Sequence, residues 1–159
     1  MTPADAEIYR KYADELVRFA SGLVGPSGAE DVVANAVLRA VSGARWSRVE
    51  NQRAYLYRAV LNEASSQHRS TTRRLNREIR AYQREASPGI AASRSDDSNV
   101  DFDVLIALRR LSERQRAVIH LTYWADLPVT DIASLLHLPI RTVERELSRA
   151  RTRLEALLS

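Results

Sequence analysis

The 159-residue chain contains no cysteine, which excludes a disulfide framework, a thiolate zinc site and a cysteine nucleophile. Its three histidines, His68, His120 and His137, are scattered without a shared helical face, so no metal site is predicted. No apolar run approaches the roughly 18 residues of a membrane span. The N-terminus, MTPADAEIYRKYADE, is acidic and periodic rather than signal-like. A cytoplasmic location without membrane insertion is expected. Glycine and proline are scarce, at five each, and apolar residues recur at helical rather than alternating spacing, so no strand is predicted. No group of carboxylates has metal-ligand spacing, and Asp96-Asp97 fall in a linker-like stretch. An enzyme such as a nuclease is therefore unsupported, and no catalytic residue and no cofactor is expected.

What the chain has instead is arginine. Of 24 basic residues only Lys11 is lysine, and the net charge of +4 is unevenly spread. Residues 1–43 carry −2, residues 44–86 carry +6, residues 87–139 carry −2 and residues 140–159 carry +2. Two basic islands between acidic stretches suggest two contacts with one polyanion.

The pattern along the chain predicts an all-α protein: two small helical domains joined by a flexible linker, the C-terminal one a helix-turn-helix. Thr2-Pro3 reads as a cap followed by proline at the first helical position, with Ile8, Tyr12, Leu16, Phe19 and Leu23 on one stripe. A second helix is expected to open at Ser27 with a Ser27/Glu30 capping box and to bury Val33, Ala36, Val37, Ala40 and Val41. Residues 42–53 read as a loop. A long helix from about Arg53 turns Leu56, Val60 and Ala64 inward and runs into HRSTTRRLNREIRAYQR, 68–84. The Ser/Asp/Gly/Pro-rich stretch 86–103 reads as the linker between a domain at 1–85 and another at 104–159. Extended, its 18 residues would reach about 60 Å.

In the C-terminal unit Ser112/Gln115 predicts a capping box. A short helix capped by Thr130 follows, then Leu138-Pro139 and a longer basic helix, the order of a helix-turn-helix. At 100° per residue, Ile140, Val143, Leu147, Ala150 and Leu154 must face the core. Arg141, Arg145, Arg149 and Thr152 then form an outward ridge, with Glu144 and Glu146 on opposite flanks. Arg141/Glu144 and Glu146/Arg149 are spaced as i,i+3 ion pairs. Such a ridge suits the major groove, because a guanidinium fork bonds guanine O6/N7 or a phosphate.

The residues from Leu111 to Arg116, Ile132-Ala133, Thr142-Val143 and Leu147-Ser148-Arg149-Ala150-Arg151 resemble region 4 of the extracytoplasmic-function (ECF) class of bacterial RNA polymerase sigma factors. AEDVVANAVLRAV at 29–41 and RAYLYRAVLNEASSQHR at 53–69 are similar to region 2 of that class. The resemblance implies a non-enzymatic subunit that binds core RNA polymerase, at the β′ clamp and β flap, and directs it to a two-part promoter. It implies that Arg141, Thr142, Arg145, Ser148 and Arg149 enter the major groove of the −35 element. Arg58, Asn62, Ser66 and Arg69, with the loop from Trp46 to Gln52, would hold the non-template strand of the −10 element. Asp31, Asn35, Leu38 and Arg39 would bind polymerase, and an anti-sigma protein is an expected partner.

The chain departs from the family pattern at Ala34-Asn35 (usually Gln-Glu), Val37 (usually Phe), His137 (usually Gly) and Glu144 (usually basic). The alternative reading is a stand-alone helix-turn-helix regulator, or a polymerase-binding decoy that has lost promoter opening. Trp46 and Trp124 are expected to be packing residues rather than stacking platforms for bases.

Overall fold

A computed structural model describes residues 1–85 and 100–159; the linker expected at 86–103 lies outside the described residues except for its last four positions, which belong to a helix. Among the described residues the chain forms seven α-helices, one 3-10 turn and no strand. They are α1 (Pro3–Val24), α2 (Pro26–Ser42), the 3-10 turn Trp46–Arg48, α3 (Gln52–Glu85), α4 (Val100–Arg109), α5 (Glu113–Tyr123), α6 (Val129–Leu136) and α7 (Ile140–Leu158).

The first helix starts where its cap predicts. Asp5 N–H donates to Thr2 Oγ1 at 3.2 Å, and Thr2 N–H donates to Asp5 Oδ2 at 2.8 Å, so two otherwise unpaired amides are satisfied reciprocally. The other oxygen of Asp5 accepts Trp46 Nε1–H at 2.8 Å, pinning the 3-10 turn to the start of α1. Trp46 is thereby a buried packing residue, as its sequence context suggested.

The second helix opens differently from expectation. Gly25, at φ 89° and ψ 163°, occupies backbone space essentially reserved for glycine; it ends α1 and serves as the N-cap of α2. Because this hinge turns the chain so early, Pro26 takes the first helical position and Ser27 lies inside the helix, where the Ser27/Glu30 capping box does not form.

α1, α2 and α3 pack pairwise around Leu16, Phe19, Leu23, Val32, Val33, Leu56 and Val60, all essentially buried. Across this bundle Glu15 accepts both Nε–H and Nη2–H of Arg53, at 3.0 and 2.8 Å, and the hydroxyl of Tyr57 at 3.0 Å. Burial raises the Glu15 pKa, but these hydrogen bonds outweigh it and hold the carboxyl below its ordinary value. Burial, with the Glu15 charge alongside, pushes the Tyr57 phenol well above the usual tyrosine range, so it stays a donor.

In the C-terminal unit the predicted box forms, with Gln115 N–H on Ser112 Oγ and Ser112 N–H on Gln115 Oε1, both at 3.2 Å. The Thr130 cap does not. Pro128, at φ −68° and ψ 157°, is the N-cap of α6, which places Thr130 within the first turn. α5, α6 and α7 enclose Val118, Leu121, Ile132, Val143, Leu147 and Ala150. Ile140, expected in the core, is the first residue of α7 and is instead 46% exposed.

The two units also meet. α5 packs on α1 and α3, and α6 packs on α3, so the apolar core runs from one unit into the other.

Ser112→Ala is expected to destabilise the protein by about 1 kcal/mol through loss of its cap, read as a lowered denaturant midpoint. Asp5 and Glu15 have folded-state pKa values below their ordinary ones: Asp5 chiefly through the Thr2 amide and the Trp46 indole, Glu15 through Arg53 and Tyr57. Their contribution is complete above the ordinary carboxylate range and is lost as pH falls through the folded values, from about pH 4 downward. Asp5→Asn and Glu15→Gln should each flatten that acid limb in unfolding curves; an unchanged limb would refute the assignment.

Candidate nucleic-acid interface

The turn between α6 and α7 fixes the direction of the C-terminal reading element. His137 sits in the left-handed region, φ 57° and ψ 45°, at the position where the family pattern usually has glycine. Its own amide and that of Leu138 bond back to Ser134 and Ala133, closing the end of α6, and Pro139 starts α7. α7 then turns Val143, Leu147 and Ala150 inward. Arg141, Arg145, Ser148 and Arg149 are exposed along the opposite side, with Thr142 half-buried at the edge.

The two glutamates are not equivalent flanks. Glu144 is exposed, but Glu146 is buried, and its Oε1 lies 3.8 Å from both Arg145 Nε and Arg149 Nη1. At that distance it faces the two arginines as a charge partner without hydrogen-bonding them, and they stay 55% and 63% exposed. Among the described residues no ion pair joins Arg141 to Glu144. Arg151 leans away from the ridge, donating to Tyr123 Oη at 2.8 Å.

In the N-terminal unit Arg58, Asn62 and Ser66 come together as one lining of a cavity of about 550 Å³ between α2 and α3. Arg69 lies a turn further on, exposed, and Arg73, Arg74, Arg77 and Arg80 continue the basic surface of α3. Three further residues that the sequence reading did not single out line the same cavity: Arg45, Tyr55 and Glu63. Arg58 lies over the Tyr55 ring at 5.8 Å. Tyr55 was findable, since 55, 58, 62 and 66 step by three or four along one helix face. Arg45 was not, because it enters from the loop that Asp5 and Trp46 tie down. Glu63 is buried, and its carboxylate binds Arg39 Nη1 at 3.0 Å.

Asp31, Asn35 and Leu38 are exposed on α2 at i, i+4 and i+7, forming a separate stripe, with Leu38 50% exposed. Arg39 is drawn to the cavity rim by Glu63 rather than standing on that stripe. Trp124, expected to pack, is 64% exposed and stacks on His120, ring centroids 5.9 Å apart and nearly parallel. Among the described residues no three His, Cys, Asp or Glu side chains gather as metal ligands, and no helix is long and apolar enough to cross a membrane.

Comparison with known proteins gives this arrangement a context. The family model for Sigma-70 region 2 matches residues 8–74, and that for Sigma-70, region 4 matches residues 103–154. RNA polymerase sigma-E factors of Streptomyces antibioticus and Streptomyces coelicolor are each 29% identical over 153 residues, which is 93% of this chain and 81% and 82% of theirs. Among solved structures, the sigma factor RpoE of Bartonella quintana, in complex with the anti-sigma factor NepR, superposes with a TM-score of 0.64 at 26% identity, over 99% of this chain and 98% of that one. Carrying regions 2 and 4 over most of its length, the chain belongs to the sigma-70 family, and within it to the extracytoplasmic-function sigma factors that direct transcription initiation.

Proposed function

We propose that the two units divide promoter recognition between them. Residues 104–159 read the −35 element, with Arg141, Thr142, Arg145, Ser148 and Arg149 in the major groove. Residues 1–85 bind core polymerase and capture the non-template strand of the −10 element. The observation that carries this reading is the outward ridge of α7, where Arg145 and Arg149 stand exposed 3.8 Å from the carboxylate of buried Glu146. Guanidinium groups steadied in this way are suited to bidentate contacts with guanine.

The cavity between α2 and α3 has room for an unstacked base, and Asn62, Ser66 and Arg58 offer both donors and acceptors to its edge. Arg69 and the arginines beyond it supply the electrostatic track for a single strand. Asp31, Asn35 and Leu38 form the stripe for the β′ clamp, and the C-terminal unit engages the β flap. Arg39 contributes to polymerase binding from the cavity rim, where Glu63 fixes it. The solved neighbour was captured with an anti-sigma factor, and we infer a partner of that class for this protein. Acting on polymerase, the protein works in the cytoplasm.

Transcription in vitro with core polymerase tests the division. Arg145→Ala should weaken a promoter with the preferred −35 base by about 1–3 kcal/mol and relax the preference at one position. Arg69→Ala should weaken binding across sequences and lower the salt slope by about one. Asn62→Ala should reduce initiation on duplex promoter while sparing binding to the −35 element. Tight, specific binding to duplex promoter without polymerase would instead support a stand-alone regulator.

A further inference from the structure

We propose that the cavity between α1, α3 and α5 binds a small organic carboxylate with a flat apolar body, its charge paired with Arg116 and its body laid against Trp124. Nothing in the promoter reading requires such a site.

The cavity measures about 600 Å³, inside the range of roughly 300–1,000 Å³ that small-molecule pockets occupy. Arg18 and Gly22 reach it from α1, Arg53 and Tyr57 from α3, and Arg116 and His120 from α5, with Trp124 just past the end of α5. Gly22 helps to shape the wall. A Cβ there would lie 2.9 Å from His120 Nδ1, so the imidazole keeps its seat because residue 22 has no side chain.

Arg116 is the group that points to a ligand. Its side chain is only 9% exposed, and its Nε–H has no hydrogen-bond partner among the described residues. The contact of its Nη2 with Glu113 Oε1 is long, at 3.4 Å, and the same carboxylate oxygen also faces His68 Nδ1 at 3.4 Å. Burial accordingly holds the guanidinium below its ordinary pKa. A buried cation with unpaired donors is destabilising until an acceptor reaches it.

The remaining charges select the kind of anion. Arg53 is committed to Glu15 through bonds of 3.0 and 2.8 Å, and the Tyr57 hydroxyl donates to the same carboxylate at 3.0 Å. Arg116 and the exposed Arg18 are left to face an incoming charge. Glu15 lines the same cavity, and its hydrogen bonds keep it ionised. A dianion such as phosphate would meet that charge, whereas a carboxylate carries one charge and matches the planar fork of arginine.

The body of the ligand is read from the other walls. Leu108 and Ile119 are apolar, and Trp124, 64% exposed, lies nearly parallel to the His120 ring at 5.9 Å. Burial lowers the His120 pKa, so at neutral pH the imidazole is uncharged and adds no cation. A flat ring system can extend that stack and cover tryptophan surface that now meets water.

Cinnamate, its uncharged twin cinnamamide and inorganic phosphate test the site on the whole chain. Calorimetry should show cinnamate binding at one site per chain, with cinnamamide and phosphate each weaker by about tenfold or more. In fluorotryptophan-labelled protein, cinnamate should shift the fluorine resonance of Trp124. It should leave that of Trp46, which is tied to Asp5 and does not line the cavity, unmoved. Arg116→Gln should abolish the preference for acid over amide. Arg18→Gln should weaken cinnamate by roughly threefold and spare cinnamamide, and Trp124→Ala should weaken both alike.

No binding of cinnamate at millimolar concentration, equal affinity for acid and amide, phosphate bound as tightly as cinnamate, or an unchanged preference in Arg116→Gln would each overturn the proposal. Should Arg116→Gln fail to fold, the two variants at exposed positions decide. Cinnamate affinity untouched by both Arg18→Gln and Trp124→Ala places the ligand elsewhere and sinks the assignment. Neither polymerase nor DNA enters these measurements, so the site and the promoter reading stand or fall separately.

Discussion

The position of α3 depends on one carboxylate. Glu15 accepts the Arg53 fork and the Tyr57 hydroxyl together, and those two residues lie one helical turn apart on α3. Holding both fixes the rotation of α3 about its axis as well as its height against α1. The face with Tyr55, Arg58, Asn62 and Ser66 is consequently turned toward α2, where the cavity forms. Leu56, Val60 and Ala64 complete the same constraint from the apolar side. A surface ion pair would contribute little, but this one is bidentate, partly buried and shared with a phenol held in its donor state, so it specifies geometry beyond its effect on stability.

The C-terminal unit reaches a comparable result through backbone geometry. The left-handed residue His137 sets the angle between α6 and α7, and three successive carbonyls of α6 receive different donors: Leu138 on Ala133, His137 on Ser134, and Arg58 on Leu135. Two of these are local, and the third arrives from the other unit. The end of the first helix of the helix-turn-helix is therefore the point at which the two halves become structurally dependent on each other.

Helix faces were legible in the sequence wherever apolar periodicity alone decides them. Leu16, Phe19 and Leu23, Val33, Ala36, Val37 and Ala40, and Val143, Leu147 and Ala150 are all buried as their spacing required. Caps were legible where the side chain had no competitor, at Thr2 and Ser112. They were misread at Ser27 and Thr130, where a proline one or two residues earlier had already set the backbone for helix entry. Ideal-helix arithmetic also treated Glu144 and Glu146 alike. What separates them is the neighbouring packing, which buries only Glu146 and which angular spacing does not contain. The contact between the units was illegible for a different reason: it joins Gly22 to His120 and Arg58 to Leu135, positions with no mutual pattern in one sequence.

A common arrangement then links α7 with the rim of the α2–α3 cavity. Arg145 and Arg149 are backed by buried Glu146, and Arg39 by buried Glu63. Each acid orients a guanidinium from below while leaving most of it in water, so the arginine is already directed when a phosphate or base edge arrives and loses less rotamer freedom on binding. The opposing charge also lowers the net positive field, which tempers non-specific attraction to nucleic acid. Among these arginines Arg58 is held instead by a backbone carbonyl and the Tyr55 ring. A neutral carbonyl is a weaker competitor than a carboxylate. That difference leaves Arg58 the readiest of these arginines to exchange its present partner for a charged one.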